Sequence, residues 1–196
     1  MTSPEPQSPR PEAASPRDRV VTSLVQAAIE LFGTRGPDAV SLREVAAHAE
    51  VNYGLIHHYV GTKDDLISLA LREVSAVSTE RFAIDDVAAT IARLASSDPN
   101  SRSLRLLAWS LLQGRQADDL VGRSEALAAL AGKLSPAETT QEDRQRVVVL
   151  MSLLLGWQLF GDYLTDALGL EASTRESTRR MVTATADDIS STRFAG

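Results

Sequence analysis

The side chains with the most chemical capability crowd into residues 41–66, SLREVAAHAEVNYGLIHHYVGTKDDL. His48, His57 and His58 are the only histidines, and there is no cysteine. A metal would need several of these imidazoles to converge, yet adjacent residues on a helix diverge by about 100°. No metal site is therefore expected. A glycine-rich phosphate loop, a nucleophile elbow and an HExxH pair are also missing, so the sequence supports neither an enzyme nor a cofactor. What remains is recognition chemistry. Tyr53, Leu55, His57 and His58 fall on the outside of one short helix, an aromatic and polar face suited to binding.

The elements that must position this face are legible around it. Ser41 is a natural N-cap, and Glu44 three residues later completes a capping box. Leu42, Val45, Ala46 and Ala49 recur at helical spacing and give a first helix one apolar face. Glu50 and Val51 make a turn, with Val51 as the buried plug. Asn52 caps a second helix over residues 53–59, with Ile56 and Val60 turned inward. Gly61 and Thr62 break the chain, and Lys63-Asp64-Asp65-Leu66 opens another helix with acids in its first turn, as the helix dipole prefers. Upstream, Val20, Val21, Leu24, Val25, Ala28, Leu31 and Phe32 mark a helix starting at Asp18. GTRGP at 33–37 ends it, with glycine as the left-handed stop. A helix, a tight turn and a second short helix form a helix-turn-helix. Its second helix fits a DNA major groove, N-terminal residues meeting base edges.

The remainder reads as all-α. Helices are expected over residues 63–81, 84–96, 101–113, 118–134, 137–168 and 173–190, with no strand-like alternation. Residues 1–16, rich in Pro, Ser, Glu and Ala, read as a disordered tail. Arg10 within it, and Arg17 and Arg19 just after it, are candidate phosphate contacts. The helix near the C-terminus is apolar nearly all round, which demands burial on its own core and against a second subunit. Its apolar run, 147–160, is broken by Ser152, Gly156 and Gln158 and falls short of the roughly 18–20 residues of a membrane span. Without a signal-peptide pattern either, the chain is expected to be soluble and cytoplasmic.

Residues 19–71 resemble the DNA-binding domain of the TetR family of one-component repressors. AAIELF, the glycine loop, SLREVAAHA, the V-N-x-G turn, H-Y-V and G-T-K-D-D-L carry the resemblance, in order and at the family's spacing. The chain departs from the family at Glu50, where the turn usually has glycine, and at His57, where tyrosine is frequent. The resemblance implies a helix-turn-helix domain over 17–62 and a helical ligand-binding and dimerisation domain over 63–196. It places Arg43, Tyr53, Leu55 and His57 at bases and Ser41, Tyr59 and Lys63 at phosphates. It further implies a homodimer through the last two helices, with Gly156 and Gly161 allowing close approach, bound to a palindromic operator. A small-molecule effector of unknown identity would sit in a cavity lined by Phe82, Trp109, Gln113, Trp157, Gln158 and Phe160. The alternative is a DNA-binding dimer controlled by a protein partner or by no effector.

Charge sets a condition on this reading. The chain carries a net charge of −6. Between residues 17 and 66, five cations against seven acids leave −2. Affinity for phosphate must then come from where the groups stand rather than from their sum.

Overall fold

The computed structural model describes residues 15–96, 101–114, 124–135 and 138–192, and among these there are helices and turns but no strand. The all-α expectation is met. Helix α1 (Pro16–Arg35) begins two residues early because Ser15 and Asp18 form a capping box and Pro16 takes the first turn. A proline loses nothing there, since that N–H has no helical partner. Residues 15 and 16 therefore leave the expected tail, whose residues 1–14 lie outside the described ones.

The glycine loop divides its labour differently from expectation. Gly33 lies within α1 and is buried, and a Cβ on it would stand 2.2 Å from the carbonyl oxygen of Arg102. The stop falls on Gly36, at φ 82. One glycine admits a neighbouring helix, and the other ends the helix.

After a 3-10 turn (Pro37–Ala39), α2 (Leu42–His48) and α3 (Tyr53–Tyr59) form the helix-turn-helix pair. Between them the Val51 N–H donates to Ala46 (2.9 Å) and the Glu50 N–H to Ala47 (3.2 Å). These are the paired bonds of a Schellman motif, whose left-handed position favours glycine. Here that position is Glu50, at φ 56, the one non-glycine with positive φ among the described residues. Val51 is half-buried rather than fully enclosed, and packs against the first core.

That core joins Leu24, Ala28 and Phe32 of α1, Val45 and Ala46 of α2, Ile56 of α3, and Leu66, Ile67, Ala70 and Leu71 of α4 (Lys63–Ile84). Leu106 of α6 (Arg102–Leu112) enters it from the far half of the chain. The second core gathers Phe82 of α4 with Ile91 and Leu94 of α5 (Val87–Ser96) and Leu130 of α7 (Glu125–Leu134). Val147, Leu150 and Leu154 of α8 (Gln141–Ala167) and Ala186 of α9 (Ala172–Ser191) complete it. Helix α4 thus runs from one core into the other. Ile84, expected to open α5, instead ends α4 and is exposed. Asp86 accepts the Ala89 N–H at 2.7 Å and starts α5 later. Likewise Ser124 caps α7 and Thr140 caps α8, so both begin after their expected starts. Of the residues expected at those starts, 118–123 and 137 lie outside the described ones.

Helix α8 overturns one expectation. By length and composition alone it is apolar enough to cross a membrane. Its inward stripe is nevertheless committed to the protein. Gln158 is buried and donates to the Leu94 carbonyl at 2.8 Å. The buried Arg146 pairs with Asp143 at 3.1 Å and donates to the carbonyls of Ile189 and Ser190, tying α8 to the end of α9.

Left-handed backbone strains a residue with a Cβ by about 1–2 kcal/mol. Glu50→Gly is accordingly expected to raise the unfolding free energy by about 1 kcal/mol, while Glu50→Val lowers it. Denaturant unfolding of the two variants checks this, and equal stabilities would remove the turn-strain explanation.

Candidate nucleic-acid interface

Helix α3 turns Ile56 fully into the first core and leaves Tyr53, His57 and His58 exposed, with Leu55 and Tyr59 half-buried. Asn52 caps it, its Oδ1 accepting the Gly54 N–H at 2.9 Å. The Tyr53 hydroxyl and His57 Nε2 are 3.1 Å apart, and their rings meet edge to face at 5.2 Å. From α2, the Arg43 guanidinium stands 5.4 Å over the Tyr53 ring. Three of the four residues expected at bases therefore form one contiguous group, whereas Leu55, two residues from Tyr53 and from His57, faces another side of the helix.

The residues expected at phosphates differ among themselves. Lys63, at the first position of α4, lays its ammonium 5.8 Å over the Phe32 ring. Tyr59 packs against His58 at 4.7 Å, and Arg17 of α1 reaches to 6.0 Å over its ring. Arg17 is thereby brought to the C-terminal end of α3, whereas Arg10 lies outside the described residues. Ser41 is already occupied. Its hydroxyl and its N–H both donate to Glu44 Oε2, each at 2.8 Å, and its Oγ accepts the Glu44 N–H at 3.2 Å. A phosphate contact from that hydroxyl would have to give up its bond to Glu44 Oε2, leaving the two capping-box bonds in place.

Glu44 also pairs with Arg35 at 2.9 Å. The Ser41 N–H, then the Ser41 hydroxyl, then Arg35 hold its carboxyl at about 2, below the ordinary 4.5. Glu30 bridges His48 (3.1 Å) and Arg102 (3.4 Å), and first the His48 bond, then Arg102, lower its pKa. His48 is thus engaged with α1. No cluster of three His, Asp or Glu able to hold a metal occurs among the described residues.

The six residues expected to line an effector cavity are not brought together. Trp109 packs on Gly36, where a Cβ would stand 3.3 Å from its ring, and Gln113 donates to Asp38 at 2.7 Å. Both dock α6 onto the helix-turn-helix unit, helped by Arg105 donating to the Thr34 carbonyl at 3.3 Å. Phe82 is buried in the second core beneath Arg93, and Gln158 is spent on Leu94. Phe160 is exposed on α8. Trp157 covers Gly161, where a Cβ would stand 2.8 Å from the indole. Gly161 therefore makes room for its own helix, whereas a Cβ on Gly156 would meet nothing within 4 Å. Two clefts in the described residues, of about 560 Å³ between α1 and α6 and about 310 Å³ between α1 and α4, have none of the six in their walls. Aromatic and amide side chains serve packing and binding equally well, so residue type alone does not separate the two roles. The glycines of GTRGP were the available signal for the α6 contact.

Residues 24–70 match the family model for bacterial regulatory proteins of the tetR family. Over 178 residues the chain is 32% identical to the HTH-type transcriptional repressor Rv3405c of Mycobacterium tuberculosis, covering 90% of this chain and 92% of that one. The HTH-type transcriptional regulator BetI of Rhizobium meliloti is 32% identical over 127 residues, 65% of this chain and 56% of that protein. Among solved structures, a TetR-family regulator from Mesorhizobium loti shares the fold at TM-score 0.62 and 15% identity, covering 90% of this chain and 97% of that chain. A transcriptional regulator from Rhodococcus does so at TM-score 0.62 and 23% identity, covering 89% and 96%.

The lowered Glu44 carboxyl makes the helix-turn-helix unit acid-sensitive. Between about 4.5 and about 2 the unfolded chain binds a proton that the folded one refuses, so stability rises with pH there. The Glu44 contribution is expected in full above that window and to fade as pH falls through it. Acid unfolding of Glu44→Gln should show a shallower loss over the same window; an unchanged slope would mean that the capping box does not set it.

Proposed function

The chain belongs to the TetR family of bacterial transcriptional regulators, and from that premise we propose a dimeric repressor released from a palindromic operator by a small-molecule effector. It is a transcriptional regulator with a TetR-type DNA-binding domain, as its relatives are, and not an enzyme. The observation that carries the DNA reading is the exposed group of Arg43, Tyr53 and His57 on a helix anchored from behind by Ile56.

In this reading Arg43, Tyr53, Leu55 and His57 meet base edges, Arg43 pairing with guanine and Leu55 with a thymine methyl. Lys63, Tyr59 and Arg17 grip phosphate, while Ser41 chiefly holds α2 in place. Residues 17–62 form the DNA-binding domain, and 63–196 the effector and dimerisation domain. Helices α8 and α9 of two copies pair as a four-helix bundle. Val148, Val149, Phe160, Tyr163 and Leu164, all exposed on α8, support that pairing, as does the open side of Gly156. A two-fold dimer reads two half-sites, hence the palindrome, and its work on DNA sets it in the cytoplasm. An effector in the second core would act through α4, with a coupling of about 1–3 kcal/mol. Control by a protein partner, or by no effector, is the second reading. It is favoured by the scattering of the six residues expected to form one cavity.

Selection of bound sequences from a random DNA pool, with light scattering to count subunits, tests the proposal. An enriched palindrome held by a dimer or a pair of dimers is expected; a folded dimer that enriches nothing at low salt would sink it. On the selected operator, Lys63→Ala is expected to weaken all sequences alike and to flatten the salt slope by about one unit. Arg43→Ala should instead relax preference at particular bases. Equal, sequence-independent losses from both would take Arg43 out of base reading.

A further inference from the structure

Tyr53 and His57 are one helical turn apart on the exposed side of α3, hydroxyl to Nε2 at 3.1 Å. Their rings meet edge to face, and Arg43 of α2 covers the tyrosine ring from 5.4 Å. Neither side chain is therefore an independent reader. We propose that Tyr53 and His57 read DNA as one unit, the proton state of the imidazole setting whether the tyrosine hydroxyl faces a base as acceptor or as donor. This rests on the DNA-binding reading above and adds how one base position is discriminated.

The argument is one of hydrogen counting. A phenol is the better donor of the two, and an unprotonated imidazole nitrogen the better acceptor. With a neutral ring whose hydrogen is on Nδ1, the Tyr53 hydroxyl donates to Nε2, so its one hydrogen is used. The phenolic oxygen then offers only lone pairs to the groove, which match the amino groups of adenine N6 or cytosine N4. One proton taken from solvent makes both ring nitrogens donors. The Nε2–H now donates to the phenolic oxygen and frees the hydroxyl hydrogen outward. That hydrogen matches guanine O6 or N7, thymine O4 or adenine N7, but not cytosine, whose major-groove edge offers only the N4 donor.

Arg43 from α2 is a fixed positive charge beside the pair, over the Tyr53 ring. His58, next along α3, lies against Tyr59 at 4.7 Å. A tyrosine alone could serve as donor or acceptor and would discriminate weakly. Coupling it to an imidazole fixes its polarity at each pH.

The test is selection from a random DNA pool at about pH 8 and about pH 6 with the full chain, Tyr53→Phe and His57→Phe. For the native chain, one symmetric position is expected to move from cytosine toward guanine or thymine by about tenfold, with adenine, which offers both N6 and N7, kept at both pH values. The other positions should stay as they are. Tyr53→Phe should lose the preference at that position at both pH values. His57→Phe keeps an aromatic ring but carries no nitrogen, and should show only weak, pH-independent discrimination there. A native preference indifferent to pH overturns the inference while leaving the operator reading intact. So does a pH shift that survives in His57→Phe. If no form enriches any sequence, the DNA-binding reading falls and takes this inference with it.

Discussion

Helix α3 has seven residues, and an isolated helix shorter than about 12–15 residues is marginal in water. Everything the interface can do depends on supports outside that helix. Behind it, Ile56 is fully buried among Phe32, Val45 and Leu66, a burial that contributes about 1.5–3 kcal/mol. In front, Asn52 and the turn through Glu50 fix where the helix begins. At its end the N–H groups of Val60 and Gly61 both return to the Ile56 carbonyl, at 2.8 and 2.9 Å. One buried side chain and two closed ends therefore decide which residues face outward. The polar, aromatic face is what is left once these constraints are met.

The same logic extends to how the unit is carried. Helix α4 has 22 residues, about 33 Å of rigid rod, with Leu66 in one core and Phe82 in the other. A second tie runs through α6, whose backbone at Arg102 is pressed against Gly33 and whose Leu106 enters the first core. Glu30 joins both sides of that contact, holding His48 of α2 and Arg102 of α6 at once. With two rigid attachments the helix-turn-helix unit cannot swing freely about one hinge. A change in the second core must shift α4, α6 or both, and close packing transmits such shifts rather than absorbing them.

Local chemistry made the interface legible in the sequence. The Ser41 capping box, the Asn52 cap, the turn at Glu50 and the helix start at Lys63 each depend on residues a few positions apart, and each appears in the structure. What was not legible depends on distant neighbours. Gly33 and Gly36 look alike in GTRGP, and only the Arg102 carbonyl, far along the chain, separates the packing glycine from the stop. Gly161 looked suited to a partner helix until Trp157, on its own helix, was seen to fill the space. Ile84 looked like the start of an apolar helix, yet Asp86 holds that start back. Trp109 and Gln113, expected at a cavity, likewise find their partners far back along the chain, at Gly36 and Asp38 after α1.

The acidic balance of the helix-turn-helix unit finally resolves in three dimensions. Five of its seven acids are spent inside the chain. Asp18, Glu44 and Asp65 accept the N–H groups of their own caps. Glu30 holds His48 and Arg102, and Asp38 accepts from Gln113. Arg17, Arg43 and Lys63, by contrast, rest over aromatic rings, an arrangement that keeps their charge while fixing their position. Two of the three lie against α3 residues, and the third sits at the start of α4. Charges neutralised by caps and internal pairs repel phosphate far less than their count implies, because the field at the groove is set by the nearest uncompensated groups. A formal −2 is therefore compatible with a surface that attracts DNA: the acids build the scaffold, and the cations are left beside the helix that reads.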